Sequence, residues 1–343
     1  MKKLLAFLSL AAALTAASGC AQAPATGKND QAKRFFDAWS QTYYPNAEKT
    51  YLGSVILGEE AGTGELIGSN EETPYVYCTV TSTDLSGNVN STTDKKLAQQ
   101  IGTYSESNYY GPHVLSRAQG RLFAGLIELM QTMREGGSRT AAVPGWLLTY
   151  DIYDTPEEYV KNCTGTDAIY SFKVHEGIKD IVKWEIDSLS RYMHRHYPRV
   201  DSTAYGYYYI RTAEPLDTNA FESSSTVYIN YTGRLLNGQV FDSTVQDTAK
   251  VHRIWQDSKT YEPVSLTWPT DDNKVTFSSG SDMIEGFEKC IHAMRAGEKG
   301  VCIFYSGLGY GLSGSGNLIP GISPLIFEVQ MLGLNEDGSI DES

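Results

Sequence analysis

The sequence predicts an α+β protein built from two copies of one domain, each an antiparallel half-barrel sheet wrapped on a short helix, with a helix joining the copies. Three observations carry this. Residues 76–93 and 227–244 align without a gap and share seven of eighteen positions, the turn glycines Gly87 and Gly238 among them. Residues 125–144 and 286–305 follow in the same order and match at Gly125/Gly286, Met133/Met294, Arg134/Arg295 and Gly136/Gly297; Phe172-Lys173-Val174 reads as the counterpart of Phe327-Glu328-Val329. Short runs of β-branched and aromatic residues, separated by turn residues, surround a single stretch of helical spacing in each copy.

In the second copy, residues 205–211 and 226–231 read as strands, and Asn237-Gly238 as the tight turn leading into Val240 and Phe241. Over residues 282–294, Ile284, Phe287, Ile291 and Met294 fall at helical spacing, with Ser281 as the expected cap and Gly297 after the end. Residues 300–305 form a strongly apolar strand, a Gly/Ser-rich flap follows, and 324–332 is the last strand. Between the copies, Ile178, Ile181, Val182, Trp184, Ile186, Leu189 and Tyr192 lie on one helical stripe, so 177–198 reads as a connecting helix ended at Pro198.

Residues 1–19 read as a signal peptide: Lys2 and Lys3 precede an apolar run over 4–17 that is too short to span a bilayer. The run ends in Ala17-Ser18-Gly19-Cys20, which resembles a bacterial lipobox, with Cys20 acylated as the mature N-terminus. The alternative is an ordinary signal peptide with a coincidental cysteine. The expected setting is export to the periplasmic side and a lipid anchor in a bacterial membrane, the outer membrane before the inner. Residues 20–33 then read as a flexible tether, 34–176 as the first domain, 199–334 as the second, and 335–343 as an acidic tail.

A net charge of −13 with no Lys/Arg-rich stripe argues against nucleic acid as a partner. Cys78, Cys163, Cys290 and Cys302 show neither a CxxC pair nor zinc spacing, so no redox role and no metal are expected, while their disulfide state stays open. His194-Arg195-His196 reads as a polar helix end. The pattern from Gly309 to Gly314 fits a dinucleotide loop but lacks the helix such a loop needs. No cofactor is expected.

Tyr231-Thr232-Gly233, Asn237-Gly238-Gln239-Val240-Phe241-Asp242-Ser243, Met283-Ile284-Glu285-Gly286-Phe287, Met294 with Gly297, Gly309-Tyr310-Gly311, Ile319-Pro320 and Leu325-Ile326-Phe327-Glu328-Val329 run in order through nearly all of residues 204–334. Together they resemble the FKBP-type peptidyl-prolyl cis-trans isomerases. The resemblance implies isomerisation of X-Pro bonds in proline-containing polypeptides, here in the folding of exported proteins. It implies an aromatic cup of Tyr231, Phe241, Phe277, Phe287 and Phe327, with Met283 and Ile284 on one wall and Leu318 and Ile319 on the flap. Tyr231, Asp242, Ile284 and Tyr310 are the catalytic group so implied: the Ile284 N–H and the Tyr310 hydroxyl hold substrate carbonyls, and Tyr231 orients Asp242 near the rotating imide. Phe287 departs from the tryptophan common at that place. Residues 244–276 form a 33-residue insertion carrying Trp255 and Trp268, whose relation to the pocket stays open.

The same alignment sets Val80, Asn90, Ser91, Leu126 and Thr149 at the places of Tyr231, Phe241, Asp242, Phe287 and Tyr310. The first copy keeps turns and strands and loses the cup, so activity is expected in the second. The competing function is a non-catalytic, polypeptide-binding or scaffolding lipoprotein. Oligomeric state is not legible.

Overall fold

The computed structural model describes residues 27–200, 205–216, 218–269, 274–334 and 340–341. The signal peptide and Cys20 lie outside the described residues. The chain opens on α1 (Asp30–Tyr43), whose buried Phe36 meets Trp146 edge-on at 6.0 Å. Just before it, the buried Asn29 amide donates to the carbonyls of Val160, at 2.7 Å, and Cys163. Residues 27–33, expected within the tether, are therefore fixed to the first domain, because burying a side-chain amide is tolerated only when its donors are satisfied.

The first sheet comprises β1 (Val55–Glu60), β2 (Tyr75–Thr83), β3 (Val89–Thr92), β4 (His113–Ser116), β5 (Ser138–Val143) and β6 (Ala168–Ile178), with α2 (Lys95–Gln100), α3 (Ala124–Gln131) and α4 (Pro156–Asn162) in the connections. Its order is β1-β5-β6-β2-β3, with β4 also on β2. After α5 (Ile181–His196) come β7 (Tyr207–Ala213), β8 (Thr226–Leu235), β9 (Val240–Ser243), α6 (Gln246–Val251), β10 (Val264–Thr267), β11 (Thr276–Phe277), α7 (Glu285–Ala293), β12 (Lys299–Phe304) and β13 (Leu325–Met331). This sheet runs β11-β10-β8-β13-β12-β7, with β9 also on β8. Last, β14 (Gly333–Leu334) pairs with β15 (Ile340–Asp341), so part of the expected tail lies in a short ladder.

The two sheets share one path: β1, β5, β6 and β2 take the places of β7, β12, β13 and β8. The register agrees to the residue. Tyr231 N–H donates to the Thr244 hydroxyl at 2.9 Å and Thr244 N–H returns a bond to Tyr231 O at 3.0 Å; Val80 and Thr93 make the same clasp, both bonds at 2.9 Å. One expected equivalence shifts. Cys302 faces Phe327 and Ala141 faces Tyr170, so Tyr170 occupies the Phe327 position and Phe172 that of Val329. A three-residue match cannot choose between registers two residues apart, because both keep every side chain on the same face.

The helix α7 buries Gly286, Phe287, Cys290 and Ile291 against the sheet. Gly286 permits the close approach: a Cβ there would lie 2.5 Å from the Phe304 ring, and its counterpart Gly125 would meet Val143 at 2.8 Å. The helix starts later than expected. Ile284 is the N-cap residue, in extended conformation, and the Ser281 hydroxyl bonds Ser279 instead of capping.

The connecting helix is also shorter than expected. Ile178 belongs to β6, Asp180 caps α5 through the Lys183 N–H, and Val182 is exposed. The buried residues of its later turns, Leu189 and Met193, pack with Tyr208, Val301, Ile303 and Ile326. Those strand residues alternate with Cys302, Phe304, Leu325 and Phe327, which face α7. The second sheet is thus covered on both faces, with α5 as its outer layer. A fully buried leucine contributes about 1.5–3 kcal/mol, so the later turns of α5 are anchored to the second domain, while Ile181 and Trp184 of its first turn pack on Tyr75, Tyr77 and Val114 of the first.

Candidate active site

The pocket forms where β8, β9 and β13 meet the N-terminus of α7. Gly233 faces Phe327 across the ladder, and a Cβ there would strike Phe241 at 2.4 Å and Phe327 at 3.0 Å. The missing side chain leaves room for rings. Phe287 lies 5.3 Å from Tyr231 and 4.6 Å from Phe327, and Phe241 meets Phe327 edge-on at 5.6 Å. Phe287 and Phe327 are buried; Tyr231, Phe241 and Phe277 are half-buried around an open pocket of about 440 Å³. Met283 and Ile284 form one wall, because Ile284 stays extended and the helix begins only after it. The flap opposite is pinned by Ser315 and Ile319, which exchange backbone hydrogen bonds at 2.8 and 3.2 Å and set Leu318 and Ile319 on the pocket.

Polar groups gather at the rim. The Tyr231 hydroxyl donates to Asp242 Oδ2 at 2.7 Å. Asp242 Oδ1 accepts from the Ser243 N–H at 2.9 Å and from the Lys259 ammonium, which also donates to Ser243 O at 3.1 Å. Burial, reinforced by the Asp242 charge, raises the pKa of both Tyr231 and Tyr310, so both hydroxyls remain neutral donors at neutral pH. Among the described residues the Ile284 N–H has no hydrogen-bond partner.

Every one of the expected residues that the structure describes lines this one pocket: Tyr231, Phe241, Asp242, Phe277, Met283, Ile284, Phe287, Tyr310, Leu318, Ile319 and Phe327. An apolar cup with spare donors at its edge suits a small apolar ring flanked by amide carbonyls.

Residues 218–332 match the family described as FKBP-type peptidyl-prolyl cis-trans isomerase. FK506-binding protein 2 of Dictyostelium discoideum is 33% identical over 115 residues, covering 33% of this chain and 68% of that protein. FK506-binding protein 1A of Aspergillus fumigatus is 35% identical over 109 residues, 32% of this chain and 77% of that one. FK506-binding protein 1 of Yarrowia lipolytica is 30% identical over 127 residues, with 37% and 96% covered. The chain belongs to the FKBP-type peptidyl-prolyl cis-trans isomerase family.

Within this isomerase the second domain carries the family's match and the open cup. The first domain repeats the fold without the cup's aromatic and acidic residues. Val80, Asn90, Ser91 and Leu126 stand at the matching register positions, and the turn after β5 doubles back so that the Ala124 N–H donates to Thr149 O at 2.9 Å. Tyr150 then packs its ring at 4.6 Å on Phe123, the counterpart of Ile284.

Lys259 was not legible as a site residue. It sits in the insertion 17 positions after Asp242, with no motif around it, and only the fold returns it to the carboxylate. The insertion's tryptophans do not line the pocket: Trp268 is buried and stacked on His292 at 5.7 Å, and Trp255 lies under the Lys250 ammonium. Asp282, Asn317 and Ser107, the last from the first domain, also line the pocket and were absent from the sequence-based set.

Proposed function

We propose that this pocket isomerises X-Pro bonds in polypeptides that fold outside the cytoplasm, on a protein held to a membrane by lipid at Cys20. The observation that carries the catalytic reading is the convergence of all the expected pocket residues around one cup with the Tyr231–Asp242 pair at its rim.

An X-Pro amide rotates over a barrier of roughly 18–20 kcal/mol because resonance must be broken, and unaided it relaxes in tens to hundreds of seconds. A site accelerates this only by holding the twisted amide more tightly than the planar one. Twisting removes charge separation from the amide, so an apolar aromatic cup prefers the twisted form. Phe287 supports the prolyl ring from below, and Tyr231, Phe241 and Phe327 enclose it. The Ile284 N–H and the Tyr310 hydroxyl hold the flanking carbonyls while the bond between them turns. Asp242, fixed by Tyr231 and Lys259, faces the rotating imide. Nothing is transferred and no covalent bond changes. One hydrogen bond made only in the twisted state, about 1.4 kcal/mol, is tenfold in rate.

Lys2, Lys3, the apolar run over 4–17 and Cys20 support export and anchoring on the periplasmic side. The replacement of the cup residues by Val80, Asn90, Ser91, Leu126 and Thr149 supports a non-catalytic role for the first copy. A protease-coupled assay of the mature full chain on an Ala-Xaa-Pro-Phe peptide tests the activity. Relaxation should accelerate in proportion to protein added; a folded preparation that leaves the uncatalysed rate unchanged rejects the reading. Labelled palmitate fed to producing cells should mark the wild type and not Cys20→Ala, and label retained by the variant rejects the anchor.

A further inference from the structure

The first domain reaches into the second through the loop between α2 and β4. From this loop Tyr109 N–H donates to Asn317 O on the flap at 2.8 Å. The Gln239 amide, at the β8–β9 turn, donates to Asn108 O at 3.3 Å. Arg253, just after α6, pairs with Glu106 at 3.0 Å. One loop thus fastens three separate elements of the second domain, and one of them, the flap, lines the isomerase pocket through Asn317. The Tyr109 ring packs into the second domain's core, and Ser107 lines the pocket itself.

Beyond Asn317, a second groove of about 350 Å³ continues onto the first domain. Asn90, Ser91, Thr92, Asn108 and Tyr110 line it, and Asn317 lines both spaces. Asn90 and Ser91 hold the places that Phe241 and Asp242 hold in the second domain. Where the cup sets Phe241 and Asp242, the groove sets an amide and a hydroxyl, and Thr92, Thr103, Asn108 and Asn317 add further polar groups beside the rings of Tyr109 and Tyr110. Amides and hydroxyls both donate and accept, which suits the backbone and uncharged polar side chains of an extended chain.

We infer that the degenerate domain is the substrate-holding half of a composite site. An unfolded polypeptide places its proline in the cup and runs past Ser107 and Asn317 into the groove ending at Asn90 and Ser91. The inference rests on the isomerase reading of the cup, and it assigns the first domain a binding function of its own. The substrate class is an extended polypeptide that spans both domains, not a proline-centred tetrapeptide. The site's selectivity lies in what flanks the proline on the groove side.

The test uses the mature full chain and two substrates with the same proline core: a tetrapeptide, and a peptide of about twelve residues, roughly 40 Å when extended. Wild-type kcat/KM should be about tenfold higher on the long peptide, the worth of one or two backbone hydrogen bonds. Asn90→Trp and Ser91→Trp each fill the groove at exposed positions on a strand; Ser91→Trp also removes the partner of the buried Ser82 hydroxyl, so a melting curve checks that each variant is folded. In both variants the ratio of long to short should fall toward one. A wild-type ratio near one, or a ratio that neither tryptophan moves, overturns the composite site. Absence of turnover on the tetrapeptide instead rejects the isomerase reading. Fluorescence anisotropy of the dye-labelled long peptide then decides the groove alone: weaker binding in both variants supports it, and unchanged binding overturns it.

Discussion

The carboxylate of Glu185, on α5, accepts two hydrogen bonds from Ser306, one from its N–H and one from its hydroxyl, each at 2.8 Å. Ser306 opens the short turn that leads to Tyr310, so the connecting helix is bolted to the segment carrying a pocket hydroxyl. Glu185 is buried, and burial raises its pKa above the ordinary value of 4.5 despite the two donors.

A raised carboxyl pKa means that the folded state holds the proton more tightly than the unfolded chain. The associated stability is therefore present below pH 4.5 and is lost as pH rises through the folded-state value. Glu185→Gln resembles the protonated form and can keep both bonds to Ser306. Chemical unfolding from pH 4 to 8 should show the wild type losing stability relative to this variant as pH rises. Parallel curves for the two proteins would mean that Glu185 is ionised at no cost in the fold.

Asp242→Ala and Tyr310→Phe should each lower kcat/KM about tenfold, the effect of one transition-state hydrogen bond of about 1–1.5 kcal/mol. Phe287→Ala should lower it more, by removing the floor of the cup, and should also destabilise the domain by about 3–5 kcal/mol. Since both pocket tyrosines titrate above the usual value of 10.0, wild-type activity should show no alkaline loss before that pH. Unchanged rates in all three folded variants would place the chemistry elsewhere.

Lys259→Met leaves Asp242 with Tyr231 and the Ser243 N–H. Its effect on kcat/KM should therefore be smaller than that of Asp242→Ala, and the two substitutions combined should cost no more than Asp242→Ala alone. A double variant markedly worse than Asp242→Ala would show that Lys259 acts on substrate directly.

The four described cysteines are free and buried. Burial pushes Cys78 up to about 12, and burial together with the neighbouring Cys302 raises Cys290 well above the ordinary thiol range. Thiolates are the reactive form, so the native protein should resist thiol reagents, and Cys290→Ala/Cys302→Ala should keep isomerase activity. Four thiols should titrate after unfolding without reductant. Loss of turnover in a double variant that still melts cooperatively would assign these residues a role beyond packing.

Much of the site was legible through the resemblance of ordered motifs to the FKBP-type isomerases, and those motifs are local. Tyr231, Phe241, Asp242 and Phe327 fall on strands whose alternation and turn glycines appear in the chain, and Phe287 follows a helix start at fixed spacing. The start of α7 differs from the expected one because Ser281 is a good cap by type, yet Ile284 is extended on the pocket wall and the helix begins after it. The pairing of Phe172 failed for a different reason: strand register belongs to the ladder, not to either strand alone.

The amino-acid sequence alone determined that two copies of one fold are present and where their strands and turns fall, through periodicity, glycine placement and residue type, all of which act over a few neighbours. Which residues line the cup, and which copy keeps it, followed from the resemblance of the second copy's motifs to the FKBP-type isomerases. Only the tertiary structure decided that Lys259 returns to Asp242, that α5 covers the second sheet, and that Ser107 and Tyr109 of the first domain stand at the second domain's pocket. Those contacts join residues distant in sequence, and their energy depends on how whole sheets and loops pack once folded. No single segment encodes that arrangement.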